Sequence, residues 1–230
     1  LGFLPVAIGG GAKAAGKKAG VKFIELAAEK GELSKQLAIV EDMITRKVDA
    51  IAIAPVDSAG ISPAVNRALA AGIPVVAVDT NVTGSKITSY VATDNIKAAN
   101  VQGDWAAGQI KDGDKVIYIT GDLGQSTGQE RKKGFVDALK AKRPNAKIIE
   151  VSTTWDQTQA QNGVESALRA NSDVKLIACA WDGGALGAVA AMKGAGIKPG
   201  EIKLAGFGGS PGALDMMKQG WQQANAAQML

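Results

Sequence analysis

The chain has no histidine, and that absence removes more chemistry than any motif in it supplies. Ser-His-Asp triads, Cys-His pairs and imidazole-built zinc sites cannot be assembled from this inventory. The single cysteine, Cys179, excludes an intramolecular disulfide but leaves the compartment open, since many proteins of oxidising compartments carry no cystine. No apolar run approaches the roughly 18 residues of a spanning helix. The N-terminus lacks the charged, apolar, small-residue order of an export signal, so an exported form would already have lost it. Charge of one sign is missing too, because 26 basic and 22 acidic residues leave only +4, spread along the chain. The densest basic cluster, Lys140, Lys142 and Arg143, has no aromatic interleaving and reads as a solvated helix end rather than a nucleic-acid surface.

What remains is a globular chain, 46% apolar and 21% charged, whose length predicts one or two domains. Short apolar runs recur at the interval of a βα unit: Val21 to Leu26, Val48 to Ala54, Pro74 to Val78, Val116 to Ile119, Ile148 to Val151, Val174 to Ala180 and Ile202 to Phe207. They read as strands buried on both faces. Helical stretches lie between them, as where Leu33, Leu37, Val40 and Ile44 line one face. Gly20, Gly72 and Gly196 each follow such a stretch, where a residue of positive φ ends a helix. The alternation predicts an α/β fold of two doubly wound parallel-sheet lobes joined by crossing strands. The rhythm breaks between Val78 and Lys115, where Ile87 to Ala92 is an extra strand and Asp94 opens a helix. The expected division is a first lobe over 1–95, a second over 96–220, and a strand over 221–230 crossing back.

Ligands of open parallel sheets bind beyond the carboxyl ends of the strands. The residues there are Asp57, Asp79 with Thr80, Asp122, Trp155 with Asp156, Trp181 with Asp182, and Phe207. Carboxylates alternating with aromatic faces, in a chain only 4% aromatic, suit a ligand with hydroxyl edges and apolar ring faces, such as a sugar or polyol. The competing reading of each aspartate is a helix cap. Trp105 lies inside a helical pattern and reads as core, whereas Trp221 opens a strand candidate.

Three motif matches fail. Gly208-Gly209-Ser210-Pro211-Gly212 fits a hydrolase nucleophile turn, but no histidine can activate Ser210 and Pro211 has no N–H for an oxyanion. The loop from Gly121 to Gly128 lacks the Gly-Lys-Ser/Thr ending of a phosphate loop and reads as a pocket lining. Asp112-Gly113-Asp114 lacks the later bidentate glutamate of a calcium loop and reads as a surface turn.

In order and spacing these segments resemble the periplasmic solute-binding proteins of the ribose-binding type, the monosaccharide branch that serves ABC importers. The likeness rests on Val48-Asp49-Ala50-Ile51 with Ala54-Pro55-Val56-Asp57, on Ala71 to Val76 with Val78-Asp79, and on Ala92-Thr93-Asp94-Asn95. It continues through Gly121 to Gly128 with Glu130-Arg131 and Gly134-Phe135, through Ala180-Trp181-Asp182 with Ala185 to Ala188, and through Gly206-Phe207. The resemblance implies a ligand site of Asp79, Thr80, Arg131, Trp155, Trp181, Asp182, Gln228 and Phe3, with a hinge at Asp94 and Asn95. In it Asp79 accepts ligand hydroxyls, Arg131 donates its fork to adjacent oxygens, Trp155 stacks on the ring, and Gln228 is the polar residue of the second crossing. Thr80, Trp181 and Gly208 depart from the arginine, asparagine and aspartate common there. Each departure removes a polar partner, which implies a ligand bulkier or less hydroxylated than ribose.

The resemblance further implies a bacterial, periplasmic, monomeric binding protein, not an enzyme, with no cofactor or metal. Its partners would be a monosaccharide or related polyol and the membrane subunits of an ABC transporter, and no nucleic acid. Relatives begin with a strand ahead of Leu1 to Pro5 and continue past Gln228, so the sequence is expected to belong to a longer chain. Two other readings are the sensor core of a lactose-repressor-type regulator, which needs a helix-turn-helix ahead of it, and a sugar-phosphate enzyme, which the missing histidine and phosphate loop disfavour.

Overall fold

The structure is a computed structural model that describes residues 3–28 and 31–228, with the backbone only over 3–7. Two parallel sheets organise it. The second is the fuller one: β4 (Lys115–Ile119), β5 (Lys147–Val151), β6 (Val174–Cys179), β7 (Lys203–Gly208) and β8 (Ala224–Ala227), in the order β5-β4-β6-β7-β8. Every pairing is parallel, and Tyr118 stands between Glu150 on one side and Ala178 on the other. Strands β5 and β6 leave β4 in opposite directions, so their connections cover opposite faces. Helices α4 (Asn95–Gln109) and α5 (Ser126–Lys142) lie on one face, with α6 (Gln157–Ala170), α7 (Asp182–Gly194) and α8 (Pro211–Lys218) on the other.

The period-2 alternation of side chains along a strand shows directly in β4. Val116 and Tyr118 join the α4–α5 cluster, and Ile117 and Ile119 join the α6–α8 cluster. Small residues let the first pair of helices approach closely. A Cβ on Gly103 would meet the Phe135 carbonyl, and one on Gly134 would strike Ile96. Trp105 packs half-buried against this cluster. Trp221 does not open the strand expected there. Its N–H still bonds the Met216 carbonyl at the end of α8, its ring is buried in the core, and the strand begins only at Ala224.

The first sheet is β1 (Ile51–Ile53), β2 (Val75–Val78) and β3 (Ser89–Val91), in sequence order and parallel. Helices α2 (Leu33–Thr45) and α3 (Ser62–Ala70) pack with Ile51, Ile53, Val75 and Ala77 on one face. Burial on both faces, expected from the apolar runs, fails here: Ala52 is exposed, as is Val91 at 52%. Helix α1 (Phe3–Lys18) buries none of its residues 8–18. The strand expected over Val21 to Leu26 is also absent. That segment follows α1, joins no ladder, and leaves Val21 60% and Leu26 41% exposed. An apolar run becomes a strand only where a neighbouring backbone offers hydrogen bonds.

Among the described residues the chain passes from one sheet to the other once, between β3 and α4. Two of the three rejected motifs are local structure. Ser210 caps α8 by accepting from the Ala213 N–H, and Asp112 and Asp114 close a turn by accepting from Asn145 and the Lys111 N–H. The basic cluster ties down the end of α5, with Lys140 donating to the Pro144 and Ala146 carbonyls and Arg143 to that of Ile110.

Candidate functional site

The carboxyl ends of both sheets converge between the lobes, and the turn after β2 begins the site. Asp79 has a φ of 63°, a left-handed conformation that non-glycine residues adopt at a cost of roughly 1–3 kcal/mol. The turn is held by the Tyr90 hydroxyl, which donates to the Asp79 carbonyl at 2.9 Å. From the other lobe, Gln228 Nε2 donates to Asp79 Oδ1 at 2.7 Å. Burial raises the Asp79 carboxyl above its ordinary 3.8, opposed by the charge of Arg131 and by hydrogen bonds from Gln228 and Thr80.

Arg131 rises from α5 into the same space, 4% exposed. Its Nε donates to Asn95 Oδ1 at 2.8 Å and its Nη1 to the Ala180 carbonyl at 2.9 Å, which fixes the plane of the guanidinium. The guanidinium carbon sits 4.2 Å from the Phe207 ring centroid and 5.6 Å from that of Trp155. Burial pulls the Arg131 pKa down from its ordinary value, and the negative charge of Asp79 acts against that. Buried Asn95 also donates to Glu130 Oε2 at 3.2 Å, so it orients two charged neighbours at once.

The aromatic wall comes from the ends of β5 and β6. Trp155, at φ 59°, and Trp181 meet edge to face, 5.4 Å between centroids at 86°. Gly121 is what admits this arrangement, because a Cβ there would fall inside the Trp155 ring. Trp181 packs against the clusters on both faces of its sheet. Its contact thus stiffens the Trp155 ring.

Of the strand-end aspartates, most are committed to local turns. Asp156 and Asp94 cap α6 and α4, accepting from the Gln159 and Lys97 N–H groups. Asp57 accepts from the Ala59 and Gly60 N–H groups, and Asp122 from that of Gly124. Asp182 is occupied in a different way, accepting from the Ser210 N–H and from Asn225 Nδ2, so it fastens the β7–α8 loop to β8. Asp79 is left as the strand-end carboxylate that a side chain of the other lobe reaches. Thr80 lies buried with its hydroxyl 3.2 Å from that of Thr127. Arg131, Trp155, Trp181, Asp79 and Gln228 are therefore brought together, Thr80 stands behind them, and Asp182 and Asp94 are engaged elsewhere. The side chain of Phe3 lies outside the described residues.

Sequence reasoning passed over the seam between the lobes. Ser58 N–H donates to the Gly124 carbonyl, Ser126 N–H to Ser58 Oγ, and Asn81 N–H to Ser126 Oγ, all within 3.0 Å. Gln125 Nε2 donates to the Pro55 and Val56 carbonyls at 3.0 and 3.3 Å. The available signal was the cluster of polar residues, Gln125 to Thr127, inside the loop already read as a pocket lining. A hollow of about 380 Å³ between α7 and α8, lined by Leu186, Val189 and Met216 together with Gln157, Lys193 and Asp215, lies away from this seam.

A two-sheet molecule with a buried arginine, a carboxylate and an indole pair at the seam has the form of a two-lobed solute receptor. The chain belongs to the periplasmic binding protein domain family, whose model matches residues 6–229. Its relatives include the ribose import binding protein RbsB of Salmonella typhimurium, 31% identical over 97% of this chain and 74% of the relative. Among solved structures, the Caulobacter myo-inositol binding protein bound to myo-inositol has a TM-score of 0.91 at 30% identity, covering 97% of this chain and 76% of that one. An ABC transporter solute binding protein from Burkholderia multivorans has a TM-score of 0.87 at 31% identity, covering 97% and 82%. Members of the family are binding proteins, and among the described residues no helix is long and apolar enough to cross a membrane.

Proposed function

We propose that the chain is an extracytoplasmic substrate-binding protein that takes a sugar or polyol between its two lobes and presents it to an ABC importer. The observation that carries this reading is the grouping of Asp79, Gln228, Arg131 and the Trp155–Trp181 pair at the carboxyl ends of both sheets. Asp79 accepts from ligand hydroxyls, and Arg131, its plane already fixed, donates to ligand oxygens. Trp155 offers a flat apolar face to the C–H side of the ring. Such a site binds and orients; it contains no nucleophile paired with a base, and the protein acts as a carrier rather than an enzyme.

The lobes are residues 1–95 and 96–220, the stretch 221–230 leads back towards the first through β8, and closure turns about Asp94 and Asn95, where the chain crosses between sheets. The relatives named above favour a bacterial periplasmic location and an importer partner over the sensor core of a regulator. Isothermal titration of the monomer with D-ribose, D-allose, D-arabinose and myo-inositol tests the reading. One-to-one binding to at least one of them, with a raised Tm in its presence, is the expected result. Silence from all four in titration and melting overturns it.

A further inference from the structure

Gln125 stands at the N-terminus of α5 yet makes no capping bond with its side chain. Its amide is spent across the seam instead. Nε2 donates to the Pro55 and Val56 carbonyls of the first lobe, while Oε1 accepts from the Trp155 indole N–H at 2.6 Å. The orientation of the amide is forced by its partners, because an indole N–H can only donate and a carbonyl can only accept. The first-lobe end of the contact is itself rigid: Gln36 donates to the Ala54 carbonyl and accepts from the Val56 N–H, so the two glutamines bracket the end of β1. The second-lobe end is a ring confined by Gly121 behind it and Trp181 at its edge.

We propose that Gln125 is a positioning residue that couples lobe closure to the orientation of the Trp155 ring, an inference that rests on the binding reading above. With the lobes together, its two amide ends are satisfied at once and the indole is held by its N–H. With the lobes apart, Nε2 loses the Pro55 and Val56 carbonyls and the amide is free to turn, so the ring loses its fixed tilt. The aromatic face is thus completed at the moment of closure, and its loss on opening favours release. The bond between Gln228 and Asp79 also spans the seam but involves no aromatic ring.

Two variants separate the halves of this link. Gln125→Ala removes both, whereas Gln125→Glu can still accept from the indole but sets a carboxylate against two carbonyls. Small-angle X-ray scattering on sugar-free protein measures closure, and stopped-flow dissociation of whichever of the four sugars binds best measures release. Both variants should show a larger radius of gyration than wild type with an unchanged melting temperature. Dissociation from Gln125→Ala should be faster by about ten-fold, the scale of one net hydrogen bond. Loss of fold stability alone would not move the dissociation rate. Wild-type scattering in both variants, or wild-type release from Gln125→Ala, overturns the proposal. If wild type binds none of the sugars, the binding reading fails and the scattering comparison alone decides whether Gln125 holds the seam.

Discussion

The two sheets are built from the same βα repeat and differ in how they are covered. The second has helices on both faces and two separate clusters of buried side chains, and its central strands are apolar in nearly every position. Among the described residues the first has one cluster on one face, and strands whose alternate residues reach solvent. The difference matches the division of labour at the seam. The lobe with two covered faces carries the parts that need fixed geometry: the buried arginine, the ring beneath it and the indole pair. The lobe with one covered face supplies a single carboxylate on a strained turn and the carbonyls that the other lobe grips.

The largest break in this comparison should come from Arg131→Ala. Truncating a buried, hydrogen-bonded charge costs roughly 2–5 kcal/mol, and titration of the best-binding sugar should show affinity falling a hundred-fold or more. Retained affinity would refute its role in binding. Next in size is a paired core test by urea melting. Ile117→Ala in the two-faced sheet should cost toward the upper end of the ~2–5 kcal/mol range, and Ile53→Ala in the one-faced sheet toward the lower. Equal losses would show that the uncovered face matters less than argued.

Asp79 sharpens the comparison through pH. Its folded pKa is raised, so its contribution to stability is most favourable below the ordinary 3.8 and is lost as pH rises through the raised value. Sugar affinity should run the opposite way, falling as acid neutralises the acceptor. Asp79→Asn should therefore melt higher than wild type at neutral pH. The gain should vanish at low pH, and titration across pH should show no acid loss of whatever binding remains. A variant that melts lower at neutral pH contradicts the burial argument. The smallest effect is expected from Asp156→Ala, which removes a helix cap for about 1 kcal/mol and should leave the sugar affinity unchanged.

The second sheet was largely legible in the sequence because its runs are long, apolar and bounded by glycine and aspartate, and each has partners on both sides. Val21 to Leu26 has the same composition and was misjudged for a reason composition cannot express: a strand exists through its neighbours. The site was legible as a set of strand-end residues but not as roles. Asp79, Asp156 and Asp182 follow strands alike in the sequence, and they part only when Gln228, the Gln159 N–H or Asn225 arrives beside them. Gln125 was not singled out because both of its connections are to residues thirty or more positions away, and nothing local marks an amide that bridges them.

The edge-to-face indole pair has an optical consequence. Two identical chromophores 5.4 Å apart and nearly perpendicular couple their excited states, so the seam carries its own circular-dichroism signal. Among the described residues Trp105 and Trp221 make no ring contact with this pair, and they contribute a steady background. Any event that tilts Trp155 changes the exciton band without a label being attached, so the coupling proposed for Gln125 can be followed in the ultraviolet.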